Sequence, residues 1–361
     1  MKKFKASFGD LPDPRAANAR HPLLEVLFIA LAATLCGAQS CVDMALFARS
    51  KEGFLREIVA MEHGPPSHDT FSRVFRQLDP EAFEVAFMAF TRAFAAKLKG
   101  VVAIDGKALK GAYERGARSS PLHLVNVWAA EARFVVAQRI APGRNEVQGV
   151  LDALALLDLE DCIVTADALH CRKDVAAAIR RAGGDYALAI KANQPLLLAE
   201  AERRLADGRR KISISDVEER HDRAEVRRAS IIKAPGLEET CGFAGACALA
   251  RVDAVRQTAD GVETVSTRYF ILSALLTAER LACVVRAHWT IENNLHWALD
   301  VSFNEDGARN RAGHGPQNLA IIRKIALNIV RADGDKGSIK GKLKRAGWDD
   351  SFLKKLFAHM R

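Results

Sequence analysis

The pattern of apolar and polar positions divides the chain near residue 98. Before that point it carries helical periods. Leu23 to Cys36 is apolar nearly all round, as a central buried helix would be, with Gly37 placed to cap it. Further helices are expected over about 41–50 and 52–59. After the break His63-Gly-Pro-Pro66, a helix opens with Ser67, Asp69 or Thr70 as candidate N-caps. Its apolar positions Phe71, Val74 and Phe75 leave Arg73 and Arg76 on another face. A long amphipathic helix from Phe83 to about Lys97 closes the segment.

From Gly100 the pattern becomes that of strands. Val101 to Ile104, Leu122 to Ala129 and Phe134 to Ile140 read as an antiparallel meander. A helix over about 146–156, a strand Cys162 to Ala166, a helix Lys173 to Ala182 and a strand Tyr186 to Lys191 follow. Three antiparallel strands, a helix, a strand, a helix and a strand is the order of a ribonuclease-H-like fold. After a helix over 196–205 comes a β-rich, charged stretch, then helices from about Thr277, from about Thr290 and over 316–330, and a basic tail, Lys336 to Arg345. The expected fold class is α/β, a ribonuclease-H-like mixed sheet flanked by helices. The expected division is an all-helical N-terminal segment, 1–98, and an α/β unit, 99–361, with a β-rich insertion at about 207–273.

Composition narrows the function. The 361 residues are 49% hydrophobic and 27% charged, enough for a substantial core. The longest apolar run is broken by Glu25, so no membrane span is expected, and a cytoplasmic protein is. Seven cysteines without a Cys-x-x-Cys pair do not form a secreted disulfide framework. Cys162, His170 and Cys171 match no usual zinc spacing. The formal net charge of +9 favours a polyanionic partner.

The candidate chemistry lies in three acids. Asp167 ends the apolar run Cys162 to Ala166, where open α/β sheets bind ligands. Asp105 ends Val101-Val-Ala-Ile in the same way, and Glu292 stands on a helix. Carboxylates suit Mg²⁺ or Mn²⁺, and a pair of such ions suits phosphoryl transfer on nucleic acid. Taken singly, Asp105-Gly106 could be a turn pair, Asp167 a helix N-cap and Glu292 a solvated acid. Period-2 geometry puts Asp105 and Lys107 on one side, and likewise Lys191 and Asn193. These cationic and polar side chains would suit a phosphate backbone. Glu292, His296 and Asp300 fall at four-residue spacing on one helix stripe. Arg73 and Arg76, on a short helix after a turn, could read DNA.

The motifs Ile-Asp-Gly-Lys (104–107), Thr-Ala-Asp-Ala (165–168), Lys-Ala-Asn-Gln (191–194), His221-Asp-Arg-Ala-Glu-Val-Arg227 and Arg-Ala-His-Trp-Thr-Ile-Glu-Asn-Asn-Leu-His-Trp-Ala-Leu-Asp (286–300) together resemble the H-repeat-associated family of bacterial insertion-sequence transposases. Asp-Pro-Arg (13–15), Cys-Gly-Ala (36–38) and Pro-Ser-His-Asp-Thr-Phe (66–71) are similar to that family's N-terminal region. The resemblance implies a DDE transposase with Asp105, Asp167 and Glu292 as catalytic triad and ligands of two Mg²⁺ or Mn²⁺ ions. Its partner would be double-stranded DNA, at the element's terminal repeats and at the target. His288, Asn293 and His296, in the most specific motif, join Arg73, Arg76, Lys107, Lys191 and Asn193 as expected DNA contacts. The wider superfamily's Tyr-x2-Arg-x3-Glu-x6-Lys pattern is not kept: Val285, His288 and Leu299 take its Tyr, Arg and Lys places. A bacterial, nucleoid-associated protein follows, with a homodimer as one arrangement of the active complex. Two other readings stay open, a metal-dependent nuclease that does not join strands and a non-catalytic repressor descended from a transposase.

Overall fold

The structure, a computed structural model, describes residues 2–92, 97–113, 121–206, 211–220, 223–258 and 263–360. Six helices come first: α1 (Lys2–Phe8), α2 (Leu23–Leu35), α3 (Cys41–Ser50), α4 (Glu52–Arg56), α5 (His68–Gln77) and α6 (Pro80–Arg92). Ser67 caps α5 by accepting from the Thr70 N–H, and a reciprocal Ser40–Asp43 capping box starts α3. The expected continuation of α6 to Lys97 crosses residues 93–96, which lie outside the described residues.

Strands β1 (Gly100–Tyr113), β2 (Pro121–Ala129) and β3 (Phe134–Ile140) form the antiparallel meander. Helix α7 (Glu146–Leu154) leads to β4 (Cys162–Ala166), which runs parallel to β1. Helix α8 (Lys173–Arg181) crosses to β5 (Asp185–Ile190), parallel to β4. This arrangement is consistent with the ribonuclease-H-like order.

After α9 (Pro195–Ala206) come β6 (Lys211–Arg220), β7 (Arg223–Lys233), α10 (Leu237–Cys241), β8 (Ala248–Thr258) and β9 (Glu263–Leu272). These four strands extend the central sheet, because β9 pairs antiparallel with β5 from Ala187 opposite Leu272 to Ile190 opposite Tyr269. The order across the nine described strands is β3-β2-β1-β4-β5-β9-β8-β7-β6. Residues 207–210, at the expected start of the β-rich stretch, and His221 and Asp222 of the fourth motif are outside the described residues.

Strands β1 to β5 are largely buried on both faces, and their alternation decides which side chains go where. Val101 and Ala103 enter one core, Val102 and Ile104 the other. The second core is covered by α7, α8 and α9. The first is covered by α11 (Ala278–Thr290), α12 (Trp297–Phe303) and α13 (Gly315–Ala332), and it continues into the N-terminal helices and into α14 (Ile339–Trp348) and α15 (Asp350–Ala358). Helix α2, buried from Val26 to Leu35, lies inside this layer, with Phe28 packed 5.1 Å from the ring of Phe357. The end of α5 is joined to α13, since Asn318 donates to the carbonyls of Phe75 and Leu78 at 2.9 Å. The first and last segments of the chain thus share one core. The basic tail packs too: Lys342 is buried against Asp333 at 2.9 Å, and Lys355 of α15 lies 2.8 Å from the same carboxylate. Among the described residues no helix is long and apolar enough to cross a membrane.

Candidate active site

Asp105 lies mid-strand rather than at a strand end. Strand β1 continues to Tyr113, but its parallel partner stops one residue earlier, the last pair being Ile104 with Ala166. The cleft opens there because β4 gives out, leaving β1 paired only with β2, Asp105 opposite Asn126. Asp167 follows β4 directly. It caps the short 3₁₀ turn Ala168–His170, accepting from the Leu169 N–H at 3.1 Å. The two aspartates therefore stand at the carboxyl edge of two adjacent parallel strands, the place where such sheets bind ligands.

Glu292 arrives from above that edge on an interrupted helix. Between α11 and α12, residues Ile291–His296 form a wide π-type turn instead of the regular helix expected. Such a turn frees backbone groups and needs outside support. Arg331 donates to the Asn294 carbonyl at 2.6 Å while its guanidinium stacks 4.6 Å over Trp128, whose indole donates to Thr290 Oγ1 at 2.9 Å. Leu295 and Ile291 are buried, and Glu292 and Asn293 are exposed toward the cleft side of the turn.

The electrostatics tie the three acids together. Burial, then the neighbouring charges of Asp167 and Glu292, push the Asp105 carboxyl up to about 7, against the Gly106 N–H that it accepts at 2.9 Å. Three histidines stand close by, and burial keeps them neutral. His288, bonded to the backbone of Thr165, is pushed down to about 4, and His296 to about 3. His296 Nδ1 lies 3.7 Å from Asp105, with Asn126 on its other nitrogen at 3.4 Å. His170, fully buried, is also lowered by burial.

Lys107 is placed differently from the expectation. It shares the Asp105 side of β1, but its side chain is 8% exposed and its Nζ bonds both oxygens of Asp300 at 2.7 Å, with Asp306 at 3.6 Å. A buried ammonium needs such carboxylates, so Lys107 is held in the protein rather than offered to DNA. His288 and His296 are likewise turned inward. Asn193 is exposed as a residue, but its side-chain amide donates to the Ala168 carbonyl at 2.7 Å, locking the β5 exit loop onto the turn after Asp167. Lys191, Asn293, Arg73 and Arg76 remain exposed.

The donor set fits hard divalent cations. Asp105 feels the charges of Asp167 and Glu292, and Lys107, two residues on, is bonded to Asp300 and lies beside Asp306 instead. Among the described residues no three His, Cys, Asp or Glu side chains already form a ligating cluster, so a cation would have to draw these carboxylates together.

Comparison with known proteins agrees with the geometry. Residues 96–329 match the family described as "Transposase DDE domain", and residues 5–91 match its companion, "DDE_Tnp_1-associated". The chain belongs to the H-repeat-associated family of DDE transposases. Relatives in Escherichia coli K12 include the "H repeat-associated putative transposase YhhI", 30% identical across 99% of this chain and 98% of that protein. The protein YbfL of the same strain is 31% identical over the same shares. The "Putative transposase YncI" of Escherichia coli O157:H7 is 32% identical across 96% of this chain and 92% of its own length. A shorter relative carries the name "Inactive transposase YbfQ" and matches 21% of this chain at 32% identity.

Within this DDE transposase, the structure brings to the acids four residues that the sequence reading did not assign to the site: Asn126, Glu146, His170 and Arg331. His170 stands three residues after Asp167 and enters the sequence reading only as a zinc candidate beside Cys162 and Cys171. Asn126 could have been flagged as a polar residue inside the apolar strand Leu122 to Ala129. Glu146 reads locally as a first-turn helix acid, and only its tertiary position says more.

Proposed function

We propose that this DDE transposase cleaves and joins DNA strands at the ends of its insertion element, with Asp105, Asp167 and Glu292 holding two Mg²⁺ or Mn²⁺ ions. The observation that carries the reading is the approach of the three acids to one cleft, where Asp105 resists ionisation first because it is buried and then because of the charges of Asp167 and Glu292. A divalent pair bound there supplies an activated hydroxyl nucleophile and neutralises the leaving oxygen of the phosphodiester.

The chain's own residues set up that chemistry. Asp105 and Asp167 are fixed by two parallel strands, so their spacing is set by the sheet. Glu292 is fixed by the wide turn and its Arg331 and Trp128 supports. The neutral imidazoles of His288 and His296 fill the space behind the acids without contributing charge. Lys191, exposed beside Asp167 at the exit of β5, supplies a point charge to a DNA phosphate. The helical segment 1–98, with Arg73 and Arg76 free on α5, is assigned to terminal-repeat recognition, and the remainder to catalysis.

Incubating the full chain with DNA carrying the element's own end and a separate target, with Mg²⁺ or Mn²⁺, tests the reading. Joined product supports transposition. Cut but unjoined strands would make the protein a nuclease, and binding without cutting would make it a repressor.

A further inference from the structure

His170 and Glu146 are unused by the chemistry above, yet they lie against it. His170 is completely buried, and neither ring nitrogen has a hydrogen-bond partner. Leaving such a buried group unpaired is destabilising, so its placement calls for a use. Its Nε2 points between two carboxylates, 3.7 Å from Asp167 Oδ1 and 3.9 Å from Glu146 Oε2. These distances are too long for direct bonds and short enough for a small rotation to make either one. A neutral imidazole carries one N–H, and two facing carboxylates place that proton on Nε2.

Glu146 is held where it is. It is the first residue of α7, on the sheet face opposite α11 to α13, and so approaches the site from the other side to Glu292. His123 Nδ1 bonds its Oε1 at 2.8 Å. Its Oε2 packs on the backbone of Gly106, where an added Cβ would come within 2.5 Å. A side chain after Asp105 would therefore have to displace this carboxylate. The chain His123–Glu146–His170–Asp167 crosses the end of the sheet from one face to the cleft.

We propose that His170, oriented by Glu146, is a positioning residue for Asp167, its Nε2–H fixing which Asp167 oxygen is turned toward the bound cation. The proposal rests on the reading of Asp167 as a metal ligand. Ligating carboxylates are themselves hydrogen-bonded, and loss of that outer support weakens metal affinity by roughly 10- to 100-fold.

The test is calorimetric titration of the DNA-free full chain with Mn²⁺, beside its thermal melting. His170→Ala is expected to weaken Mn²⁺ binding at least about tenfold. His170→Gln, whose amide N–H reaches the Nε2 place, is expected to recover most of that loss. Glu146→Gln is expected to fall between them, and it decides alone if His170→Ala does not fold. Unchanged Mn²⁺ affinity in His170→Ala and Glu146→Gln overturns the proposal, as does a Gln variant no better than Ala. Complete loss of binding in Glu146→Gln overturns it differently, by making Glu146 a ligand. If the wild-type chain binds no Mn²⁺, the metal reading of Asp167 fails and takes the proposal with it; wild-type binding with unaltered variants sinks the proposal alone.

Discussion

Asp105 lies beside Asp167 at the point where their parallel strands part, and burial, aided by the second carboxylate, holds the first protonated up to about pH 7. The ordinary value for the unfolded chain is 3.8. Between these limits the native state binds a proton that the unfolded chain has released, so stability falls as pH rises through that window. Below it the group is neutral in both states and the cost vanishes. At pH 8 the cost reaches up to about 4 kcal/mol, at about 1.4 kcal/mol per unit. Asp105→Asn should therefore melt higher than wild type at pH 8 without divalent cation, and the gain should disappear by pH 4. Adding Mg²⁺ should stabilise wild type and not the variant. A variant that melts no higher at pH 8 would show that the carboxylates do not repel as described.

His288 and His296 give the opposite sign. Their folded values of about 4 and about 3 lie below 6.5, so the unfolded chain takes up protons that the native state refuses. Stability contributed by the neutral rings is present above pH 6.5 and is lost as pH falls toward those values, by about 1.4 kcal/mol per unit for each ring. Melting curves from pH 7.5 to 5 should drop less steeply for His296→Asn than for wild type. Parallel slopes would remove His296 from the acid sensitivity.

Lys107 and Asp300 form a largely buried pair, so Lys107→Ala should destabilise the fold by about 3 kcal/mol, the scale for stranding one partner. Because Lys107 does not face the DNA path, the slope of log affinity for DNA against log salt should keep its wild-type value. A stable Lys107→Ala protein with a shallower slope would return Lys107 to the DNA contacts.

Lys191 is the contrasting case. Lys191→Ala should leave stability unchanged and reduce the salt slope by about one, as for one lost phosphate contact. An unaltered slope would place the DNA path elsewhere. Replacing Arg73 and Arg76 together by Ala should weaken binding to the element's end more than binding to unrelated DNA; equal loss on both would make them phosphate contacts only.

The contrast between Lys107 and Lys191 shows how far the sequence could be read. The strand alternation that put Asp105 and Lys107 on one side was legible, because period 2 is local. That Lys107 would meet Asp300, far along the chain, was not, because ion pairs between distant elements leave no periodic trace. Asp105 and Asp167 were legible as candidates from apolar runs closed by Asp. The mid-strand place of Asp105 was not, since the end of the parallel pairing is set by β4. The wide turn under Glu292 was hidden for the same reason. Its sequence is compatible with a regular helix, and its support comes from Arg331 and Trp128. The tail was legible as basic, but not that Asp333 would take up Lys342 and Asp335 would take up Arg345.

The most direct test of the central claim is strand cleavage at the element's own end by the full chain, compared between wild type and Asp105→Asn in Mn²⁺. The account predicts cleavage by wild type that stops when the cation is chelated, and none by Asp105→Asn although it binds the same DNA. Cleavage by Asp105→Asn at the wild-type rate, or wild-type cleavage that survives chelation, would contradict it.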